Sequence, residues 1–266
     1  MRDDVVRLLR ALLVGIAVLP SLRRIEIAGT PTRPAQRADV SMGVRMRSSH
    51  NPDLSPEPVP VRRLIIAPHA DDETLGCGGL IAKYPDECAV VVLARPDGVR
   101  TNEFNAARDM LGYKRTYFLD LRDGYVGDDM HDLVGRLDAV IALCQPEDLY
   151  IPYPSMHQDH IAAYEAGIRA ARLSMTTDHW FTPSVFVYDI AAYDVNLYPT
   201  DLRWNVFEVL GQDEVERKRL AMAAYSSQAV IGPHPSNDVE HSARAIGSAR
   251  RVPWAEQFAL VREVRG

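Results

Sequence analysis

Cysteine is scarce in this sequence, and the few cysteines are not spaced for a zinc ribbon or a disulfide framework. Three occur in 266 residues, Cys77, Cys88 and Cys144, and no two of them form a Cys-x-x-Cys pair. The odd number is consistent with a reducing compartment, so we expect a cytoplasmic protein. We do not expect Cys77 to be a nucleophile, because the sequence patterns of catalytic thiols do not surround it.

A basic stripe is also missing. The formal net charge is -6, and the Arg and Lys residues are scattered, with no aromatic residues interleaved among them. Proteins that bind nucleic acid usually concentrate positive charge on one surface. The sequence therefore argues against a nucleic-acid partner.

No apolar run is long enough to span a membrane. The run at residues 11–19 has nine residues and follows Arg2, Arg7 and Arg10, whereas a spanning helix needs about 20. A small-x-small cleavage site, which would mark a signal peptide, does not follow it. We favour packing of residues 5–22 on the domain or on a second subunit of a homo-oligomer over a peripheral membrane anchor.

The composition that remains is that of an ordinary globular protein. With 47% hydrophobic and 25% charged residues, the chain suits one large α/β domain or two small ones. Residues 29–60 are rich in Pro, Ser, Arg and Asn and have no periodicity, which predicts a linker. We therefore divide the chain into an N-terminal helix with an extended linker (residues 1–60) and a folded domain (residues 61–266).

From residue 61 onward, strand-like runs alternate with helical patterns. This alternation predicts an α/β fold with a Rossmann-like, mostly parallel sheet flanked by helices. After residue 174 we predict a C-terminal extension of strands and helices over the active face. The predicted strands are Leu64–Ala67, Ala89–Ala94, Arg115–Leu119, Leu149–Tyr153, Val185–Ile190, Val206–Leu210 and Phe258–Val264, and the predicted helices include Asn102–Leu111, Met130–Ile141, Val215–Ala224 and Val239–Arg250.

A cluster of polar side chains directly follows the first predicted strand: His69, Asp71, Asp72 and Glu73. Ligands bind at the carboxyl ends of the strands in an open parallel sheet. Carboxylates at the start of a helix also act as caps, and capping explains this cluster about as well when it is taken alone.

A Gly-Cys-Gly-Gly run follows at residues 76–79. It is not a dinucleotide-binding motif, because the acidic residues before it would repel a pyrophosphate and the third glycine is out of place. The run predicts close packing near the start of a helix.

A second group, His157-Gln158-Asp159-His160, follows the fourth predicted strand. Two histidines three residues apart present their imidazoles on neighbouring faces of one turn. If the two strands are neighbours in the sheet, both groups can reach one ion. Their joint occurrence favours a metal site over a helix cap combined with an exposed turn.

Two imidazoles and one carboxylate, from His69, Asp72 and His160, form a ligand set that suits Zn²⁺, and Fe²⁺ could use the same set. Asp71 is then placed to act as a base on water. His157 would lie near the oxyanion or the leaving group, and Asp159 could orient an imidazole.

These motifs resemble those of the LmbE-like / PIG-L family of zinc-dependent N-acetyl deacetylases. The resemblance rests on Pro68–Gly79 and His157–His160, with further similarity at residues 98–112, 218–228 and 254–258. It covers about Val61 to Arg262. It implies removal of the acetyl group from N-acetylglucosamine units or related amino-sugar conjugates, which gives acetate and a free amine.

The same residue roles follow from the resemblance, with Asp159 supporting His157. Two positions depart from the family pattern: Ala70 replaces a usual Pro, and Ser155 stands where some relatives carry a Tyr that helps at the oxyanion. A metal-dependent hydrolase of another amide or ester bond is the alternative. We interpret Arg100 as an exposed helix arginine in preference to a residue that pairs with an anionic aglycone.

Overall fold

The computed structural model describes residues 57–174, 179–190, 199–228 and 236–265. The chain divides into two units, residues 1–40 and 41–266, and all described residues belong to the second. The helix and the anchor considered for residues 5–22, and most of the predicted linker, lie outside the described residues. Among the helices in the described part of the chain, none is long and apolar enough to cross a bilayer.

Strands and helices alternate through the first part of the domain, as expected. The strands are β1 (Arg63–Ala67), β2 (Cys88–Ala94), β3 (Arg115–Leu121), β4 (Asp148–Pro152), β5 (Ser184–Tyr188), β6 (Val206–Leu210) and β7 (Trp254–Arg262). The α-helices are α1 (Asp72–Lys83), α2 (Gly98–Leu111), α3 (Met130–Cys144), α4 (Gln158–Ala170), α5 (Gln212–Ala224) and α6 (Ser236–Ser248). Short 3-10 turns cover Pro85–Glu87 and Ser226–Gln228.

All seven strands belong to one sheet, in the order β3-β2-β1-β4-β5-β7-β6. The first five are parallel, whereas β7 is antiparallel to both β5 and β6. The prediction of a mostly parallel α/β sheet is confirmed. The strand order reverses between β1 and β4, and a crevice outside the carboxyl ends of two such strands is the usual ligand site of this architecture.

The C-terminal extension adds two strands to the sheet and one turn at a pocket. Strands β6 and β7 continue the sheet beyond β5, so they widen it. The turn after α5 reaches the edge at the carboxyl ends of the parallel strands, where Ser227 and Gln228 line a pocket.

The apolar core lies on both faces of the sheet, because the parallel strands are buried on both sides. Successive residues of β1 alternate between the two layers: Leu64 and Ile66 pack with α3 and α4, whereas Ile65 and Ala67 pack with α1 and α2. Every residue of β1 and β2 is buried. The loops that follow these buried strands line the pocket at the carboxyl edge of the sheet.

Helix α1 packs unusually closely, as the glycine run predicts. A Cβ atom at Gly76 would overlap the ring of Tyr188, and one at Gly79 would overlap Leu210. Cys77, between them, is fully buried, and burial raises the pKa of its thiol well above its usual range. Such a thiol is not a nucleophile.

A buried ion pair fixes the same helix to the C-terminal part of the domain. Lys218 Nζ donates to Glu256 Oε1 at 2.7 Å and to the carbonyl of Leu75 at 2.7 Å. The Glu256 carboxylate also accepts from the main-chain N–H groups of Gly79 and Leu80, at 2.7 and 2.8 Å. Glu256 lies within strand β7, which begins at Trp254. The predicted start at Phe258 was wrong, because a buried glutamate interrupts the apolar pattern there.

Candidate metal centre

The two predicted groups of polar residues meet at the crevice between β1 and β4. His69 and Asp71 follow β1, and Asp72 opens α1. His157 caps the start of α4, and His160 lies in its first turn. They border a pocket of about 590 Å³.

The pocket also contains residues that follow the neighbouring strands. Arg95 and Arg100 come after β2, and Asp123 comes after β3. Because the four strands are parallel, the loops that leave them share one edge of the sheet. Because β1 and β4 are neighbours in the sheet, the two groups of polar residues converge on one pocket, as expected.

The carboxylate of Asp72 lies between two imidazoles. Its Oδ2 is 3.3 Å from His69 Nδ1 and 3.3 Å from His160 Nε2. The main-chain N–H of His69 also donates to this oxygen, at 2.9 Å. Although burial opposes ionisation, the two imidazoles hold the pKa of Asp72 well below its usual range. Burial likewise disfavours the imidazolium of His69, but the neighbouring carboxylates raise the pKa of His69 to about 9.

The second nitrogen of each imidazole has its own protein partner. Asp159 Oδ2 is 3.1 Å from His69 Nε2, and Ser155 Oγ is 2.8 Å from His160 Nδ1. Asp159 is in turn fixed by the main-chain N–H groups of Gly124 and Val126. Histidine ligands of metal ions are typically held in this way by a partner on the other ring nitrogen. The donor set of His69, Asp72 and His160 therefore fits a zinc-type ion.

Among the described residues, the groupings whose ligand atoms all lie within 4.8 Å of one another are His69 with His157 and His160, and His69 with Asp123 and Asp159, and neither includes Asp72. In the second grouping, His69 would use the nitrogen that Asp159 already holds. His157 is exposed, and its Nδ1 accepts a main-chain hydrogen bond. The grouping that includes Asp72 has two buried donors, Asp72 and His160, and leaves these hydrogen bonds intact.

Asp71 lies beside this set and is held by an arginine. Arg100 Nη1 donates to Asp71 Oδ2 at 2.8 Å and to the carbonyl of Ala70 at 3.0 Å. Burial and the Asp72 carboxylate raise the pKa of Asp71 well above its usual range, and Arg100 opposes this rise. The interpretation of Arg100 as a surface residue was wrong, because its side chain is directed into the pocket.

The ring of His157 is oriented at the start of α4 by a main-chain hydrogen bond. Its Nδ1 accepts from the main-chain N–H of Asp159 at 3.2 Å, so in the neutral ring the proton is on Nε2. Partial desolvation of the ring and the other two imidazoles lower the pKa of His157. We expected Asp159 to support His157. Its main-chain N–H does contact His157, but its carboxylate is hydrogen-bonded to His69.

Buried hydrogen bonds connect the pocket to the C-terminal turn, and the sequence patterns did not reveal them. Tyr225 Oη donates to Glu73 Oε1 at 2.8 Å, and burial raises the pKa of Glu73 to about 7. Glu103 accepts from both hydroxyls of Ser226 and Ser227, at 2.9 and 2.6 Å. The partners are more than 100 residues apart, so spacing in the sequence gives no signal of the pairing.

Comparison with known proteins agrees with this geometry. A family model described as GlcNAc-PI de-N-acetylase (PIG-L) matches residues 64–171. The uncharacterized deacetylase YaiS of Escherichia coli (strain K12) is 30% identical over 139 residues, which are 47% of this chain and 75% of that protein.

Two solved structures share the fold. The 4-carboxy-2-hydroxymuconate hydratase GalB from Pseudomonas putida KT2440 has a TM-score of 0.63 at 19% identity, covering 77% of this chain and 98% of that one. The N,N'-diacetylchitobiose deacetylase from Pyrococcus horikoshii has a TM-score of 0.56 at 21% identity, covering 76% and 84%. At these identities the structures establish the fold alone. The sequence match to the bacterial deacetylase, together with the family model, shows that the chain belongs to the PIG-L (LmbE-like) family of de-N-acetylases.

Proposed function

We propose that this protein is a zinc-dependent N-deacetylase that hydrolyses the acetamide of an N-acetylated amino sugar or its conjugate, releasing acetate and a free amine. The observation that carries the proposal is the position of Asp71. A carboxylate held by Arg100 lies next to a donor set of two imidazoles and a carboxylate in an open pocket. Water activation requires a base placed in this way.

The metal would be held by His69, Asp72 and His160. A bound Zn²⁺ supplies a Lewis acid that polarises the acetamide carbonyl and lowers the pKa of water. Asp159 and Ser155 keep the two imidazoles in the tautomers that leave the ligating nitrogens free of protons.

The remaining steps are proton transfers and hydrogen bonds by this chain's own residues. Asp71 removes a proton from the attacking water, and Arg100 keeps its carboxylate oriented. His157 donates its Nε2–H to the oxygen on which negative charge develops. Asp71 then returns its proton to the departing amine, which leaves the carboxylate ready for another cycle.

An N-acetylglucosamine unit is the proposed core of the substrate. Support comes from the family description, which names a GlcNAc conjugate, and from the solved relative named as an N,N'-diacetylchitobiose deacetylase. The hydratase of the same fold acts on a different bond. The test therefore includes other amides and esters.

The experiment measures amine and acetate release from a panel of N-acetylglucosamine conjugates. We expect wild-type protein to be active with Zn²⁺ and inactive after chelation. Asp71→Asn should lower turnover by about 10²- to 10⁴-fold while metal stays bound, because only the base is removed. Asp109→Asn, a change to an exposed aspartate on α2, is the matched control and should retain full activity.

If the whole panel stays intact although metal is bound, the assignment of an N-acetylglucosamine substrate is wrong. Release from another amide or an ester would then support the alternative hydrolase. If Asp71→Asn keeps full turnover, the assignment of the base is wrong.

A further inference from the structure

A second cavity, of about 820 Å³, opens beside the catalytic pocket. It lies along strand β3, which is at the edge of the sheet, and faces helix α3. Its apolar wall includes Tyr117, Phe118, Leu119, Val140 and Leu143. We call it the β3–α3 groove.

The groove is continuous with the proposed active site. Arg95 and Pro96, which follow β2, line both the groove and the catalytic pocket. Strand β3 is parallel to β2, so its carboxyl end lies at the same edge as the ends of β1 and β4. A molecule that starts in the catalytic pocket can therefore pass Pro96 and enter the groove.

The groove is elongated. Along the strand its lining runs from Thr116 to Asp120, roughly 13 Å at the usual rise of an extended chain. On α3 it runs from His131 to Leu143, roughly 18 Å at the usual rise of a helix. Lining residues at 131, 135, 139 and 143 share one helix face. A straight apolar chain matches this shape.

An added β-strand matches it less well. Arg136 Nη1 already donates to the main-chain carbonyl of Leu119 at 3.1 Å, so this edge group is occupied. Asp120 has a φ of 54°, outside the extended range that a ladder of hydrogen bonds needs. Both features protect an edge strand from pairing with another chain.

We propose that the β3–α3 groove binds an alkyl or acyl chain carried by the N-acetylated sugar substrate, so that the preferred substrates are amphiphilic. This inference rests on the proposed function, because the sugar end must occupy the catalytic pocket. Each methylene group buried in the groove strengthens binding by about fourfold. Selectivity then comes from the tail of the substrate as well as from the sugar.

The first experiment compares methyl and octyl N-acetyl-β-glucosaminide, each below its critical micelle concentration. Binding is measured by calorimetry on the Asp71→Asn protein loaded with Zn²⁺, in which the expected loss of turnover keeps the ligand largely intact during the titration. Deacetylation kinetics are measured on the wild type. We expect the octyl glycoside to have a dissociation constant and a KM at least about tenfold lower than the methyl glycoside, with a similar kcat.

Position 135 offers a matched pair of variants. Gly135 is exposed on α3 and lines the groove, and a Cβ atom there would meet no atom within 4 Å. Gly135→Phe should fill the groove and remove the octyl preference without changing the KM of the methyl glycoside. Gly135→Ala should keep the preference, since one methyl group leaves the groove open. Both variants should fold, because the position is exposed and the space around it is open.

Equal affinity for the two glycosides would overturn the inference while the proposed function stood. The inference would also fail if Gly135→Phe kept the preference, or if it weakened self-association and left glycoside binding unchanged. Tight octyl binding that is sensitive to Gly135→Phe, without any acetate release by the wild type, would support the groove and remove the proposed function. The two proposals can therefore fail separately.

Discussion

Each imidazole of the proposed metal site has one nitrogen engaged by the protein and one directed at Asp72. His69 is held by Asp159, and His160 is held by Ser155. The departure from the family pattern at residue 155 therefore has a local explanation. In this chain, the short serine hydroxyl reaches the ring of His160, and this hydrogen bond orients a proposed metal ligand.

Removing that hydroxyl should weaken the metal site. We expect Ser155→Ala to raise the dissociation constant for Zn²⁺ about 10- to 100-fold, as is usual when a partner of a ligand histidine is lost. Ser155→Thr keeps the hydroxyl and serves as the control. Competition with a chromogenic chelator measures the affinity, and an unchanged affinity in Ser155→Ala would remove the role given to this residue.

Arg100 should affect catalysis and leave metal binding alone, because its hydrogen bonds go to Asp71 and the Ala70 carbonyl. We expect Arg100→Gln to lower kcat about tenfold, the value of one charge-assisted hydrogen bond. Bound zinc, counted by elemental analysis, should stay at the wild-type level. Arg108→Gln, on the same helix, is the control, and a loss of zinc in Arg100→Gln would point to a structural role.

The sequence predicts which polar groups meet at the candidate site, but it does not predict their hydrogen-bond partners. His69, Asp72 and His160 lie in the segments that follow buried strands, and parallel strands bring such segments together. Arg100 and Asp71 are 29 residues apart, and nothing in one sequence pairs a helix arginine with a loop carboxylate. Asp159 was expected near His157, its neighbour along the chain, but tertiary packing places its carboxylate on His69.

Among the elements, helix α1 shows how the site is supported. It carries Asp72 at its first residue and is fixed along its length by Lys218 from α5 and Glu256 from β7. The same pair explains the misplaced boundary of β7. Apolar periodicity predicts strands well until a buried charge with a partner enters them, and Glu256 is such a residue.

Breaking the pair should destabilise the domain. Lys218→Met leaves the buried Glu256 carboxylate without its cation, and we expect a loss of about 3–5 kcal/mol in the free energy of unfolding. Urea denaturation followed by circular dichroism measures it. Arg219→Met, an adjacent change on α5 at a residue paired with Glu216, should cost less than about 1 kcal/mol. Equal losses in the two variants would contradict the special role of the buried pair.

For the whole molecule, metal binding should add stability, because the ligands come from segments that meet only in the folded protein. At 1,000 times the dissociation constant, Zn²⁺ should stabilise the fold by about 4 kcal/mol and raise the melting temperature by roughly 8–16 °C. Differential scanning calorimetry measures the shift. Asp71→Asn should show the same shift, whereas His160→Ala should show little. A full shift in His160→Ala would move the metal away from these residues.

The hydrogen bonds from Ser226 and Ser227 to Glu103 set a limit on how far the chain can be shortened at its C-terminal side before activity is lost. A chain cut after α4 would contain His69, His160 and the other motif residues, and a motif search would score it as complete. It would nevertheless lack the turn that closes the pocket and the lysine that holds α1. Gene fragments or split-protein designs should therefore keep residues up to β7, since the reactive groups and their supports lie in different halves of the chain.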